Sequence, residues 1–383
     1  MADALSTLAE PILAVPSLAL PNVAIVNPAI VNPALANPAL ANLIPDLMQA
    51  AGWLPLVFAL VMALAMLAYV ILDGYDLGVG VLLQRADNLA QKNTMIASIG
   101  PFWDANETWL VLGVGVLLVA FPMAHGVILG ALYLPVALML VALTLRGVAF
   151  DFRVKARDKL RPLWDRAFYA GSLLASWSQG FMLGGLITGF KGDLPSNLFS
   201  ALIGLCLVAA YCLLGAGWLI MKTEGALQLK AVAWARASLW FTAAGVGAIS
   251  LATPLVSARI FEKWFSFPNI VMLLPIPAMT LVLFVVMAQS LKRLPVRLAT
   301  NNQYGAGVPF ACTVGIFLLA FYGLAYSLFP WLVVDSLTIW QAASSPAALL
   351  VIFYGVVVVL PVIIGYTVYS YRVFWGKSTE LRY

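Results

Sequence analysis

Asn93-Thr94-Met95-Ile96-Ala97-Ser98-Ile99-Gly100-Pro101-Phe102-Trp103-Asp104-Ala105-Asn106-Glu107-Thr108-Trp109, running into the apolar segment Leu110 to Phe121, is the stretch that decides how this chain is read. The purely apolar part is too short to cross a hydrocarbon core about 30 Å thick at about 1.5 Å of rise per residue, so a spanning helix has to begin upstream, near Asn93. That start draws Trp103, Asp104, Asn106 and Glu107 into the membrane and sets Asp104 about 16 Å along the helix, close to mid-depth. Asp104 and Glu107 are three residues apart and share a face, with Trp103 one turn from Glu107. Two carboxyls so placed cannot both ionise cheaply, which is the chemistry of a proton relay or a cation site. A hydrogen-bonded structural pair at a helix interface is the plainer alternative. Asn106-Glu107-Thr108 also matches a glycosylation sequon, a match without meaning inside a buried helix.

The rest of the chain agrees with a membrane setting. Of 383 residues, 63% are hydrophobic and 10% charged, and the mean hydropathy is +0.98. Soluble chains carry about 25% charged residues, so a soluble fold is excluded, as is disorder. A net charge of +5 gives no footprint for nucleic acid. Breaking the chain at charge clusters and at Pro, Asn and Gly predicts an all-α integral membrane protein. It is a bundle of about nine spans, near 51 to 72, 93 to 121, 124 to 146, 165 to 190, 196 to 221, 232 to 257, 268 to 290, 308 to 329 and 346 to 371.

Basic residues test that count. Taking loops alternately, 18 of the 21 cations fall on one side, seven of them between Arg146 and Arg166, and only Lys191, Arg259 and Lys263 on the other. By the positive-inside rule the richer side is cytoplasmic, giving an outside N-terminus and a cytoplasmic C-terminus. Residues 1–48 are set apart from the membrane domain at 49–383. Asn recurs at Asn22, Asn27, Asn32, Asn37 and Asn42, with Pro28, Pro33 and Pro38 interleaved, and proline at that density breaks a helix. This segment reads as a poorly ordered low-complexity extension, or as sequence preceding a true start near Met48.

A second acidic cluster closes the first span in Asp73-Gly74-Tyr75-Asp76-Leu77-Gly78-Val79-Gly80, with Asp73 and Asp76 expected at the cytoplasmic boundary. Helix-end polarity is an equal reading, and the glycines do not fit a dinucleotide fingerprint. Gly185-Leu186-Ile187-Thr188-Gly189 reads as close helix packing, and Ser176, Ser178 and Gln179 as ordinary bundle polarity. The loop Arg146 to Arg166 reads mainly as a topology determinant. Cys206, Cys212 and Cys312 lack metal-ligand spacing and read as packing residues. The sole histidine, His125, is expected in a short outer turn and cannot supply bis-histidine ligation of a haem.

These residues carry a resemblance. Leu72 to Gly80, followed by Ile99-Gly100-Pro101-Phe102-Trp103-Asp104-Ala105-Asn106-Glu107-Thr108-Trp109-Leu110, resembles subunit II of the cytochrome bd quinol oxidases. Arg146-Gly147-Val148-Ala149-Phe150-Asp151-Phe152-Arg153 and the outer run Ser336 to Ser345 are similar to that family too, and the likeness covers roughly residues 51 to 378. The resemblance implies a multi-pass protein of the bacterial cytoplasmic membrane, partnered with a haem-bearing subunit I and in some cases a small third subunit. The complex would oxidise quinol and reduce dioxygen to water. It implies that haems b558, b595 and d belong to subunit I, that this chain ligates no cofactor, and that some members hold a structural quinone.

Carried onto this sequence, the resemblance makes Asp104 the proton-path aspartate, with Glu107, Asp76 and Asp73 in the polar network. Trp109 lies on an oxygen route, and Trp103, Asn106, Arg146 and Asp151 support the motif. Many members have glycine and a neutral residue where this chain has Ala105 and Glu107, and the sequence is similar to the cyanide-insensitive subgroup. The rival reading is a proton-coupled secondary transporter using Asp104 and Glu107. Against it, no second copy of the motif occurs and nine spans do not halve into repeats.

Overall fold

The computed structural model describes residues 49–378, so the expected extension at 1–48 lies outside the described residues. The chain is built from helices: α1 Ala50–Leu82, α2 Leu89–Ile99, α3 Trp103–Ala120, α4 Pro122–Ala131, α5 Tyr133–Lys155, α6 Arg161–Ile187 and α7 Leu194–Lys222. There follow α8 Gly225–Val256, α9 Ala258–Phe265, α10 Asn269–Leu273, α11 Pro275–Ala299, α12 Val308–Leu328, α13 Ile339–Ala342 and α14 Pro346–Val373. A two-stranded antiparallel hairpin, β1 Trp331–Val333 with β2 Leu337–Thr338, precedes α13.

Among the described residues, eight helices are long and apolar enough to cross a membrane. The expected segment near 165 to 190 corresponds to α6, which is not among them. At 27 residues it is about 40 Å long, but it carries Asp165, Arg166, Ser172, Ser176, Ser178 and Gln179.

Helix α1 is the axis of the bundle and packs on α3, α6 and α7. Glycines on both helices explain how closely α1 and α7 approach. A Cβ on Gly215 would lie 2.5 Å from the Val79 nitrogen and 2.6 Å from the Gly78 carbonyl carbon, and one on Gly74 would lie 2.7 Å from the Tyr211 ring. Between α6 and α7 the close approach is at Gly180 and Gly184, against Gly204 and Ser200, rather than at the expected Gly185 and Gly189. Gly189 lies past the end of α6 at φ +67°, where it turns the chain. Helices α11 and α14 are outermost; Leu349 is the one buried residue of α14.

The expected helix at 93 to 121 is in fact two helices, α2 and α3, broken at Gly100-Pro101. Proline lacks the N–H that would continue the ladder, and its ring clashes with the carbonyl one turn back. The expected span at 124 to 146 is likewise divided at Leu132, and its second part, α5, runs on to Lys155. His125 therefore lies within a helix, α4, not in a turn, and the loop expected from Arg146 to Arg166 shrinks to residues 156–160.

The segment that follows the hairpin is tied to the start of α1 and the end of α3. The Trp340 indole donates to the Gly52 carbonyl at 2.9 Å, and the Ser344 hydroxyl to the Val119 carbonyl at 2.7 Å.

Candidate functional site

Asp73 and Asp76 lie on α1 at positions i and i+3, on the same side as Tyr69 one turn earlier. Both carboxylates are fully buried. They sit about 14 Å and 9 Å before the end of α1, which continues through Leu82 and encloses them instead of closing at the motif.

Arg146 answers Asp73. It too is fully buried, inside α5, and its Nη1 donates to Asp73 Oδ1 at 2.6 Å. Arg146 Nε and Nη2, Asp73 Oδ2 and Asp76 Oδ1 have no partner among the described residues. One guanidinium thus faces two carboxyl groups with polar atoms of all three left over.

Asn106 answers Asp76. Its side-chain amide donates to Asp76 Oδ2 at 2.7 Å and to the Tyr75 hydroxyl at 2.8 Å, with the Leu72 carbonyl at 3.3 Å. The Tyr371 hydroxyl donates to Asn106 Oδ1 at 3.0 Å and lies 2.5 Å from the Tyr75 hydroxyl, so Tyr75 is the donor in that contact. Asn106, Tyr75 and Tyr371 close a ring of hydrogen bonds against Asp76. On the other side of Asp73, the Gln179 amide donates to the Tyr69 hydroxyl and accepts from Tyr211, each at 2.7 Å. The polar line therefore runs from α14 through α3 and α1 to α6 and α7.

The structure separates this line from Asp104. Asp104 stands in the first turn of α3, where the carboxylate favours the positive helix end, and it is exposed on the chain's own surface. The continuous helix from Asn93, on which the mid-depth position rested, is absent: the Gly100-Pro101 break makes Asp104 the second residue of a new helix. Two residues on, Asn106 is 1% exposed. Two positions turn a helix by about 200°, so Asn106, Trp109, Leu110 and Gly113 form the inward face while Asp104 points outward. Glu107 is half-buried between them, within reach of the charges on Arg146, Asp73 and Asp104.

Trp109 is buried, and its indole N–H lacks a partner within the chain. Trp103 does not stack on Glu107; it packs on Phe150 at 5.0 Å, and the Arg146 guanidinium lies 5.8 Å from its ring. Asp151 is exposed on α5. A further buried cluster joins α2, α5 and α6: Asp165 Oδ1 accepts from Arg153 Nε at 2.5 Å and Asp165 Oδ2 from Lys92 Nζ at 3.0 Å. Among the described residues, no group of His, Cys, Asp and Glu is placed to hold a metal ion.

Tyr69, Tyr75, Gln179, Tyr211 and Tyr371 were absent from the sequence-derived site. Tyr69, Asp73 and Asp76 recur at helical spacing and could have been found together. Tyr371 stands 265 residues from Asn106 with no local signal.

Comparison with known proteins follows this geometry. The model of the family "Cytochrome bd terminal oxidase subunit II" matches residues 54–374. The chain is 29% identical to cytochrome bd ubiquinol oxidase subunit 2 of Bacillus subtilis over 334 residues, covering 82% of this chain and 94% of the relative. It is 27% identical to cytochrome bd-I ubiquinol oxidase subunit 2 of Escherichia coli, covering 84% of this chain and 94% of that one. The bd oxidase of Geobacillus thermodenitrificans contains a chain of the same fold, with a TM-score of 0.67 and 19% identity over 84% of this chain and 98% of that chain.

Proposed function

The chain belongs to the cytochrome bd terminal oxidase subunit II family, and from that premise we propose that its buried Asp73, Asp76 and Asn106 cluster carries protons for dioxygen reduction in a quinol oxidase. The family is one subunit of a quinol oxidase complex, and the chain is a multi-pass protein of the bacterial inner membrane. Its partner is a haem-bearing subunit I. The haems are assigned to that partner; the sole histidine of this chain, His125, lies in the short helix α4.

The observation that carries the reading is the charge count of the cluster. Asp73, Asp76 and Arg146 carry one surplus negative charge when all are ionised, in a place where an unpaired charge costs several kcal/mol, about 3–5 when one partner of a buried pair is removed. Taking up one proton balances the cluster, and the orphaned Asp76 Oδ1 is free to hold it. Asn106, itself held by the two tyrosine hydroxyls, fixes Asp76 Oδ2 by a hydrogen bond and leaves Oδ1 as the atom that takes up and releases the proton. Asp104 and Glu107, on the outer side of α3, extend the path toward subunit I, and Trp109 lines an oxygen route. A structural quinone and a small third subunit belong to the same reading, as do a ninth span in α6, an outside N-terminus and a cytoplasmic C-terminus.

Quinol-driven oxygen consumption by the complex carrying Asp76→Asn tests this. The expected result is a loss of roughly a hundredfold, the lower end of what a positioned acid–base group contributes, with the haem spectrum intact. Wild-type turnover with intact haems contradicts the role, and loss of haem together with activity assigns Asp76 to assembly instead. The parallel Asp104→Asn variant reports on the outer limb of the path.

A further inference from the structure

The cation-bearing end of α11 forms one wall of a groove of about 520 Å³, and the start of α12 forms the other. Val286, Ser290, Arg293 and Arg297 fall at positions i, i+4, i+7 and i+11 of α11, a single stripe along the helix. Val308 and Ala311 face them from α12.

Arg297 is held in place. Its guanidinium lies 5.4 Å from the centre of the Tyr304 ring, and its Nη1 donates to the Tyr304 carbonyl at 3.3 Å. Gly305, at φ +86°, leaves room for this: a Cβ there would lie 3.1 Å from Arg297 Nη1. Arg293 is exposed at the mouth of the groove.

Neither arginine meets a carboxylate among the described residues. No Asp or Glu occurs anywhere between Glu262 and Asp335, so this part of the chain brings no counter-charge of its own. Two guanidiniums one turn apart match a phosphate, which accepts paired N–H bonds from arginine. Beyond them the same side of the helix is apolar and open, with Val286 42% and Val282 51% exposed. A ligand suited to both features carries a phosphate and an extended hydrocarbon part.

We propose that this groove binds an anionic phospholipid, its phosphate held by Arg293 and Arg297 and its acyl chains lying along Val286, Val308 and Ala311. A zwitterionic headgroup fits less well, because its own cation would be brought beside two uncompensated guanidiniums. A soluble phosphate would leave the apolar wall bare.

The test is native mass spectrometry of the purified, delipidated oxidase complex titrated with phosphatidylglycerol or phosphatidylcholine, wild type against the Arg293→Gln, Arg297→Gln double variant. The wild type is expected to retain phosphatidylglycerol over phosphatidylcholine. The double variant is expected to bind phosphatidylglycerol about 25-fold more weakly, at roughly fivefold per arginine, with phosphatidylcholine unchanged. Equal phosphatidylglycerol binding by the two proteins overturns the proposal. So does a wild type that makes no distinction between the lipids, or one in which inorganic phosphate alone displaces the lipid. If the double variant does not assemble, Arg293→Gln alone decides, with about a fivefold loss expected and no loss contradicting the site.

Discussion

Arg146 serves two buried carboxyl groups with one charge, and its removal is the sharpest single-residue perturbation that the site offers. Arg146→Met leaves Asp73 buried and unpaired, so the assembled complex is expected to lose about 3–5 kcal/mol of stability, read as a large drop in thermal midpoint. Adding Asp73→Asn removes the stranded charge and is expected to restore most of that loss; a double variant no better than the single one contradicts the ion-pair account. How much of this was legible differs by residue. Asp73, Asp76, Asn106 and Arg146 all stood out as chemistry-bearing positions, but Arg146 was counted as a loop cation because charge alone does not reveal that α5 carries it inward. Asp104 stands out in sequence for its place ahead of an apolar run, which says nothing of the side of the helix that it occupies. Its carboxylate sits on the opposite side of α3 from Asn106, and only the break at Gly100-Pro101 fixes which side faces the core. Tyr371 closes the hydrogen-bond ring from the far end of the chain, a pairing set by tertiary contact alone.

Helices carry their own tests. At the α1–α7 crossing, Gly78 lies against the Tyr211 backbone, so Gly78→Ala pushes one helix off the other. The expected cost is about 1–3 kcal/mol in stability of the complex, as for other overpacked cores, whereas Gly247→Ala, where an added Cβ meets nothing within 4 Å, is expected to be silent. Equal effects at the two positions contradict the close-crossing account. At the start of α7, Asp193 caps the helix by accepting from the Ser196 backbone N–H at 3.3 Å. Hydrogen bonds from Ser196 hold its carboxyl below the usual carboxylate range, against a smaller opposing effect of burial. A depressed folded value means that the cap's contribution is fully present above about pH 3.9, the unfolded value, and is lost as pH falls through the folded one. Amide exchange at Ser196 and Asn197, corrected for its intrinsic pH dependence, should therefore gain protection as pH rises through that window; a flat profile contradicts the cap. The glycines of the Asp73–Gly80 motif were visible in sequence, but their purpose was not, because their partners at Tyr211 and Gly215 lie on another helix. The break at Gly100-Pro101 was written in the sequence and was overridden by the search for one continuous span.

Across the whole molecule, the apolar runs and the distribution of Lys and Arg were enough to anticipate a polytopic helical bundle, because spanning length and loop charge are local quantities. What they could not assign was the interior. Arg153, Lys92 and Asp165 look like loop charges yet form a buried tie among α2, α5 and α6. The orientation that the cations imply is testable by single cysteines in a cysteine-free background. Lys159→Cys is expected to label only from the cytoplasm and Lys191→Cys only from outside, since an odd span, α6, separates them. Labelling of both from one side contradicts the ninth span. The central claim is that the chain's buried carboxylates carry protons for dioxygen reduction. It is tested most directly by time-resolved proton uptake after oxygen is mixed with the fully reduced complex bearing Asp76→Asn. The account predicts slowed uptake with haem content unchanged, and uptake at the wild-type rate would contradict it.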